Sequence, residues 1–237
     1  MTASVPLAAV IGDPIGHSKS PVLHGFWLRA YQISGHYVPL HVTSGDLEQV
    51  LAAMPRMGFV GANVTIPHKE TVLELADIVT DRARAIGAAN TLTFHKDGKI
   101  EADNTDGHGF LANIQQNAPA FDAKDGPAVI LGAGGAAKAV IYALLEAGAP
   151  QVRVLNRNLD RAKNLSARFG DRVSVHEVSD LPNFLGDCNL LVNSTSLGMI
   201  GQPPLAVDLS NLPKTAIVND IVYAPLETDL LKQARAM

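Results

Sequence analysis

Ala128-Val-Ile-Leu-Gly-Ala-Gly-Gly-Ala-Ala-Lys-Ala-Val140 decides the fold. An apolar run, a glycine turn and an alanine-rich stretch that starts a helix follow one another without a break. That succession of buried strand, tight turn and helix grips a nucleotide pyrophosphate. Gly132 lets the backbone turn sharply, Gly134 omits a side chain where phosphates must approach, and Ala137 is small enough for helix to pack closely on strand. The helix N-terminus offers free amide hydrogens to the anion. Gly132, Ala133, Gly134, Gly135 and Ala136 are therefore candidate cofactor contacts. The turn comes past the middle of a 237-residue chain, so the earlier half must form something else and a second domain is expected.

Working downstream, residues 128–131, 152–155, 173–176, 190–193 and 216–219 read as strands, residues 136–147 and 159–169 as helices, and 226–237 as a final helical piece. This predicts a doubly wound, Rossmann-like domain over residues 127–237. Upstream, residues 7–11, 37–42 and 60–66 read as strands with helical patterns between them, which predicts an α/β domain with parallel strands over residues 1–104. The Asp97-Gly98 step predicts a hairpin between residues 89–95 and 99–102, at that sheet's end. A helix over 107–116 and a Pro- and Ala-rich loop make residues 105–126 the link between the domains.

Composition excludes several function classes. The net charge is −4 with no block of like charges, so there is no electrostatic footprint for nucleic acid or an anionic membrane. The N-terminus lacks a basic stretch followed by a long apolar one, and no apolar run reaches membrane-spanning length. Cys188, the single cysteine, lies in an apolar run and reads as a core residue of a cytoplasmic protein.

The second strand of the downstream domain identifies the cofactor. An NAD-binding unit places a carboxylate about 20 residues beyond the glycines to hold the ribose hydroxyls. Here the strand ends Leu155-Asn-Arg-Asn158, so a neutral amide replaces the acid, and Arg157 and Arg161 can reach a 2′-phosphate with planar guanidinium groups. NADP is favoured over NAD. Charge-assisted hydrogen bonds discounted for exposure give about 3 kcal/mol for the pair, about a hundredfold preference. The bland alternative makes both arginines a solvated helix face.

Polar residues gather in the first half. Asp13-Pro-Ile-Gly-His-Ser-Lys-Ser-Pro-Val-Leu-His24 follows the first strand at its carboxyl end, where open α/β sheets bind ligands. At this spacing an extended backbone points the Ser18 and Ser20 hydroxyls to one side, which suits a ligand carboxylate. Ser20 can instead cap the helix that Pro21 opens, whereas Ser18 has no such local duty. In Gly61-Ala-Asn-Val-Thr-Ile-Pro-His-Lys69, Asn63 and Thr65 share a face, and Lys69 falls in the first turn of the next helix, against its dipole. Such a broken local rule is expected at functional sites, although most lysines are simply solvated. His68 reads as structural. Asp106 and Asn90, in Asp103-Asn-Thr-Asp-Gly107 and Ala88-Ala-Asn-Thr91, complete the set, each with a local alternative as helix cap or turn residue. Together they suit a small ligand with a carboxylate and several hydroxyls. The histidines lack metal-ligand spacing and no serine sits in a nucleophile elbow.

With these residues in view, the chain resembles the shikimate and quinate dehydrogenase family over essentially its whole length. The resemblance rests, in order, on Gly16-His-Ser-Lys-Ser-Pro21, Asn63-Val-Thr-Ile-Pro-His-Lys69, Gly87-Ala-Ala-Asn-Thr91, Asn104-Thr-Asp-Gly107, Gly132-Ala-Gly-Gly-Ala136, Asn156-Arg157, Asn193-Ser-Thr-Ser-Leu-Gly-Met199 and Asp220-Ile-Val-Tyr223. It implies reversible, NADP-dependent reduction of 3-dehydroshikimate to shikimate in aromatic amino-acid biosynthesis, by a cytoplasmic monomer or homodimer. By resemblance, Ser18, Ser20 and Tyr223 hold the substrate carboxylate, Asn63, Thr65, Asn90 and Asp106 bind ring hydroxyls, and Lys69 and Asp106 form the catalytic pair. Asn156, Arg157, Asn158 and Arg161 take the 2′-phosphate, Thr195, Met199 and Ile221 line the adenine and nicotinamide sites, and Asp81 matches an occasional cofactor contact.

The chain departs from the family in two places. Asn158 stands where a threonine is usual, which weakens but keeps the phosphate contact. The sequence also ends at Met237, before a C-terminal segment that in the family carries a glycine near the nicotinamide and a glutamine to the substrate and packs a helix on the first domain. The sequence is therefore expected to be incomplete. Two other readings compete: a quinate-preferring or NAD-using relative, which an acid at Asn156 would have suggested, and a noncatalytic nucleotide- and ligand-binding sensor, which has no need of Lys69 and Asp106.

Overall fold

The computed structural model describes residues 5–237, apart from the side chain of Arg161. The chain divides into two compact units, the first ending at Thr105 and the second running Asp106–Met237.

In the first unit the elements follow as β1 (Leu7–Gly12), α1 (Ser20–Ala30), β2 (His36–His41), α2 (Leu47–Ala53), β3 (Phe59–Val64), α3 (Val72–Leu75), β4 (Ile78–Val79), α4 (Asp81–Ile86), β5 (Thr91–Phe94) and β6 (Ile100–Asp103). The sheet order is β2-β1-β3-β5-β6-β4. β1 pairs parallel with β2 and with β3, as the alternating pattern predicts. The hairpin forms, but β5 runs antiparallel to β3, so the sheet is mixed rather than parallel. Nor does the hairpin end the sheet: β4 pairs with β6 outside it, and a two-residue strand carries no alternation by which sequence could reveal it. Gly61 makes the antiparallel join feasible, since a Cβ there would lie 2.5 Å from the Leu92 carbonyl oxygen. Ile11, Leu47, Leu51, Met54, Val64, Val72 and Leu92 fill the core beneath.

The second unit opens with α5 (Asp106–Asn117), followed by β7 (Ala128–Leu131), α6 (Gly135–Glu146), β8 (Val152–Leu155), α7 (Leu159–Phe169), β9 (Val173–His176), α8 (Leu181–Phe184), β10 (Leu190–Asn193), β11 (Ile217–Asp220) and α9 (Asp229–Arg235). Its sheet, ordered β11-β10-β7-β8-β9, is parallel throughout. β7 and β10 are neighbours from which the chain winds in opposite directions, which is the Rossmann-like order predicted. β7 is buried along its length, and α6 lays Ala137, Val140, Ile141 and Leu144 on the core. Cys188 is buried in a separate cluster with Val129, Leu131 and Leu191, and burial pushes its thiol up to about 11. No helix among the described residues is long and apolar enough to cross a membrane.

Candidate functional site

Ser18 and Ser20 have exchanged the duties read from the sequence. Ser20 is the first helical residue of α1 and makes no cap; Lys19 precedes it, and Pro21 occupies the first turn. Ser18, expected to have no local duty, accepts the Ser20 backbone N–H on its Oγ at 3.3 Å. Both are half-buried. Asn63 and Thr65 sit at the carboxyl end of β3, which pairs beside β1. Asn63 Oδ1 accepts the Tyr37 hydroxyl at 2.7 Å, and the Thr65 backbone donates to Ile11 O at 2.9 Å.

Lys69 is not in a helix. Val64 ends the strand, Pro67 follows, and the chain closes two successive turns: His68 N–H donates to Thr65 O at 3.0 Å and Val72 N–H to His68 O at 3.0 Å. α3 begins only at Val72, so the argument from a lysine opposing a helix dipole does not apply. Lys69 is instead positioned by its own backbone carbonyl, which accepts Ala89 N–H at 2.7 Å and so ties this turn to the segment carrying Asn90. His68 is buried, with Nε2 2.7 Å from the Val42 carbonyl, a structural role as read.

Asn90 immediately precedes β5, and its Oδ1 accepts the Thr105 N–H and the Thr91 hydroxyl, both at 2.9 Å. The neighbouring loop is fixed by Asp103, which the sequence reading passed over. Its carboxylate accepts the Thr80 hydroxyl at 2.7 Å and the Asn104 N–H at 2.7 Å, and it pairs with Arg82 through two nitrogens. Burial alone would raise its pKa, but Arg82, Thr80 and the Asn104 amide outweigh it and hold the carboxyl below its ordinary value. Asn104 is buried and donates to Ala88 O at 2.8 Å. Asp81 begins α4 after the capping Thr80 and is exposed; the duty visible for it is to complement the helix dipole. Asp106 begins α5 in the second unit, where its charge suits the helix start.

The glycine turn fits a nucleotide pyrophosphate. Gly132 has φ +104°, and a Cβ there would meet Ser194 Oγ at 2.8 Å, so glycine is required by backbone and packing alike. At Gly134 the case is opposite: a Cβ would meet nothing within 4 Å, so the surrounding protein does not demand glycine and the space lies open above the turn. Gly134 is also the N-cap of α6 and brings no capping side chain to the first-turn amides. Ala133 is buried, and Gly135 and Ala136 are half-buried in the first turn. Asn156, Arg157 and Asn158 follow β8 directly, next to β7 in the sheet. Arg157 and Asn158 are exposed, while Asn156 is half-buried and donates to Asn158 O at 2.7 Å. The side chain of Arg161 lies outside the described residues.

At the far side of β7, Thr195 donates its hydroxyl to Asn193 Oδ1 at 2.7 Å and accepts Leu197 N–H at 3.1 Å, which holds the loop carrying Met199. Ile221 N–H donates to Asn193 O at 3.1 Å, and Tyr223 stands exposed two residues later. Asn193 and Asp220, quoted above only as motif members, anchor both loops. Tyr37 was missed altogether, and no local pattern marks it. It stands opposite Ala8 in the β1–β2 register, whereas Asn63 stands opposite Val10 in the β1–β3 register, so their meeting depends on strand order.

Comparison with known proteins agrees with this arrangement. Residues 10–92 match the family model described as shikimate dehydrogenase substrate binding domain, and residues 113–200 match that described as shikimate / quinate 5-dehydrogenase. The chain is 60% identical over 232 residues to a Cereibacter sphaeroides protein named shikimate dehydrogenase (NADP(+)), covering 98% of this chain and 83% of that one. Among solved structures, shikimate 5-dehydrogenase from Thermus thermophilus in complex with NADP(H) and shikimate is 36% identical with a TM-score of 0.85, over 98% of this chain and 84% of that one. Quinate dehydrogenase from Corynebacterium glutamicum in complex with NAD is 32% identical with a TM-score of 0.89, over 98% and 85%.

Proposed function

The chain belongs to the shikimate and quinate dehydrogenase family, and from that membership and its own residues we infer NADP-dependent, reversible reduction of 3-dehydroshikimate to shikimate. The observation that carries this reading is the 60% identity, over nearly the whole chain, to an NADP(+)-dependent shikimate dehydrogenase. The open, glycine-lined start of α6 supports it, as does the neutral Asn156 where an NAD-binding unit carries an acid. Asn156 also argues against an NAD-using relative. A reduced, buried Cys188 accords with work in the cytoplasm.

In this reading Gly132, Ala133, Gly134, Gly135 and Ala136 hold the pyrophosphate, and Asn156, Arg157, Asn158 and Arg161 hold the 2′-phosphate. Thr195, Met199 and Ile221 line the remainder of the cofactor site. When bound there, NADPH would supply the hydride for reduction of the ring ketone to an alkoxide. Ser18, Ser20 and Tyr223 bind the substrate carboxylate, while Asn63, Thr65 and Asn90 bind the ring hydroxyls. The Lys69 ammonium stabilises the developing negative charge and gives the oxygen its proton, becoming neutral in the step. Asp106 orients the reacting hydroxyl and the lysine. In the reverse direction Lys69 removes that proton. The direct test mixes the protein with NADP⁺ and shikimate and follows the absorbance of reduced nicotinamide. Cofactor binding without any absorbance change would overturn the reading in favour of a sensor.

A further inference from the structure

We propose that Tyr37 is a positioning residue for the substrate, its phenol fixing the Asn63 side-chain amide and so setting which end of that amide faces a ring hydroxyl. The proposal rests on the reading above, in which Asn63 meets shikimate. Tyr37 lies on β2, its stacking partner His24 on α1 and Asn63 on β3, so one side chain joins three elements. The phenol donates to Asn63 Oδ1 at 2.7 Å, and its ring stacks on His24 of α1.

The chain is built to let the ring make this reach. In a parallel sheet, registered neighbours point to the same face, and Ala8, which stands between Tyr37 and Gly61, presents only a methyl group. The His24 ring, from α1, stacks on Tyr37 with centroids 4.0 Å apart and planes 2° apart, and Trp27 meets His24 edge-on at 5.3 Å. The half-buried phenol is pushed up to about 12 by desolvation, with Ser20 acting against the shift, so it stays a protonated donor throughout the neutral range.

A donor fixed on Oδ1 also decides how Asn63 faces a ligand. Among the described residues its Nδ2 then has only long contacts, to Asn90 O at 3.4 Å and Thr91 Oγ1 at 3.5 Å, near the limit of a hydrogen bond. The amide is thus set to donate to a substrate hydroxyl. Without the phenol it can rotate and present either end.

Tyr37→Phe removes the hydroxyl and keeps the ring stacked on His24. Full-chain wild type, Tyr37→Phe, Asn63→Ala and the double variant are compared for shikimate oxidation with NADP⁺. The expected result for Tyr37→Phe is a rise of about tenfold in KM for shikimate, larger than its effect on kcat, with KM for NADP⁺ unmoved. The double variant should be scarcely worse than Asn63→Ala alone, because both changes break one link. Active wild type with an unchanged shikimate KM in Tyr37→Phe, or fully additive effects, overturns the proposal and leaves the function standing. A wild type that does not oxidise shikimate overturns both.

Discussion

Asn193 donates its side-chain amide to Asp220 Oδ1 at 2.9 Å, joining the carboxyl ends of β10 and β11. Each partner then holds a loop: Asn193 Oδ1 takes the Thr195 N–H and hydroxyl, and Asp220 takes Val222 N–H at 3.0 Å and the buried Thr228 hydroxyl at 2.7 Å. Those loops carry Thr195, Met199 and Ile221. Asp220→Asn removes the charge and one acceptor: with the amide oxygen kept on Asn193 and Val222, the NH₂ faces the Thr228 hydroxyl, whose proton loses its carboxylate, at a cost of about 1–3 kcal/mol. Thermal denaturation should show a lower Tm, and KM for NADP⁺ should rise more than KM for shikimate. Equal rises would place the effect outside the cofactor loops.

Gly107 tests the packing of α5 on α6. A Cβ there would sit 2.7 Å from Ala139 O and 3.0 Å from the Ala143 methyl, and backbone cannot give way as a flexible side chain can. Gly107→Ala is expected to cost about 1–3 kcal/mol by overpacking. The readout is the Tm, which falls by roughly 2–4 °C for each kcal/mol in a protein of this size. An unchanged Tm would mean that the two helices separate without loss.

Most of the second unit was legible because its strands are buried runs closed by glycine or polar punctuation, and residues 128–131, 152–155, 173–176 and 190–193 fall where the pattern puts them. The first unit was less legible because pairing partners are not local. The antiparallel join of β3 to β5, the edge strand β4 and the contact of Tyr37 with Asn63 all depend on strand order. Lys69 shows a different limit, since successive turns fill the stretch between β3 and Val72 and carry no periodicity by which sequence could tell them from the first turn of a helix. Candidate residues were found through hydroxyl and amide spacing. Their supports, Asp103, Arg82 and Tyr37, carry ordinary residue types in ordinary places and show their roles only through contacts.

Cofactor choice should turn on the residues after β8. Arg157→Ala is expected to weaken NADP⁺ binding about tenfold and leave NAD⁺ binding unchanged, because the guanidinium would meet only the 2′-phosphate. Asn156→Asp should act in the same direction by placing a carboxylate near that phosphate while offering the ribose hydroxyls an acceptor. Titration of each variant with both cofactors decides the matter. A parallel loss for NADP⁺ and NAD⁺ would mean the residues support the fold and not the choice.

Asp103 predicts a specific response to acid. Its folded pKa lies below the ordinary 3.8, burial being outweighed by Arg82, Thr80 and the Asn104 amide, so ionised Asp103 favours the folded state. That contribution is complete above the unfolded value and disappears as pH falls through the folded one. In Arg82→Gln the depression is smaller, so the variant should have a lower Tm than wild type at neutral pH. The gap should be constant from about pH 5 upward and shrink below about pH 4. A gap that persists undiminished at low pH would assign Arg82 to packing.

Lys69→Ala separates catalysis from folding unusually well. The lysine is held by its backbone carbonyl, which accepts Ala89 N–H at 2.7 Å, and alanine keeps that bond, so the turn and Asn90 beyond it stay in place. What the substitution removes is the ammonium, which in the proposed mechanism acts on the alkoxide formed in the transition state more than on the ground-state ketone. An interaction of that kind lowers kcat and kcat/KM together. Loss of a general acid costs about 10²–10⁴ in rate, and the expected outcome is a fall of that order in kcat with a KM for shikimate changed only a few-fold. Steady-state kinetics on protein whose Tm matches wild type makes the comparison. A large rise in KM with kcat preserved would show that Lys69 binds the substrate and that the proton comes from another group.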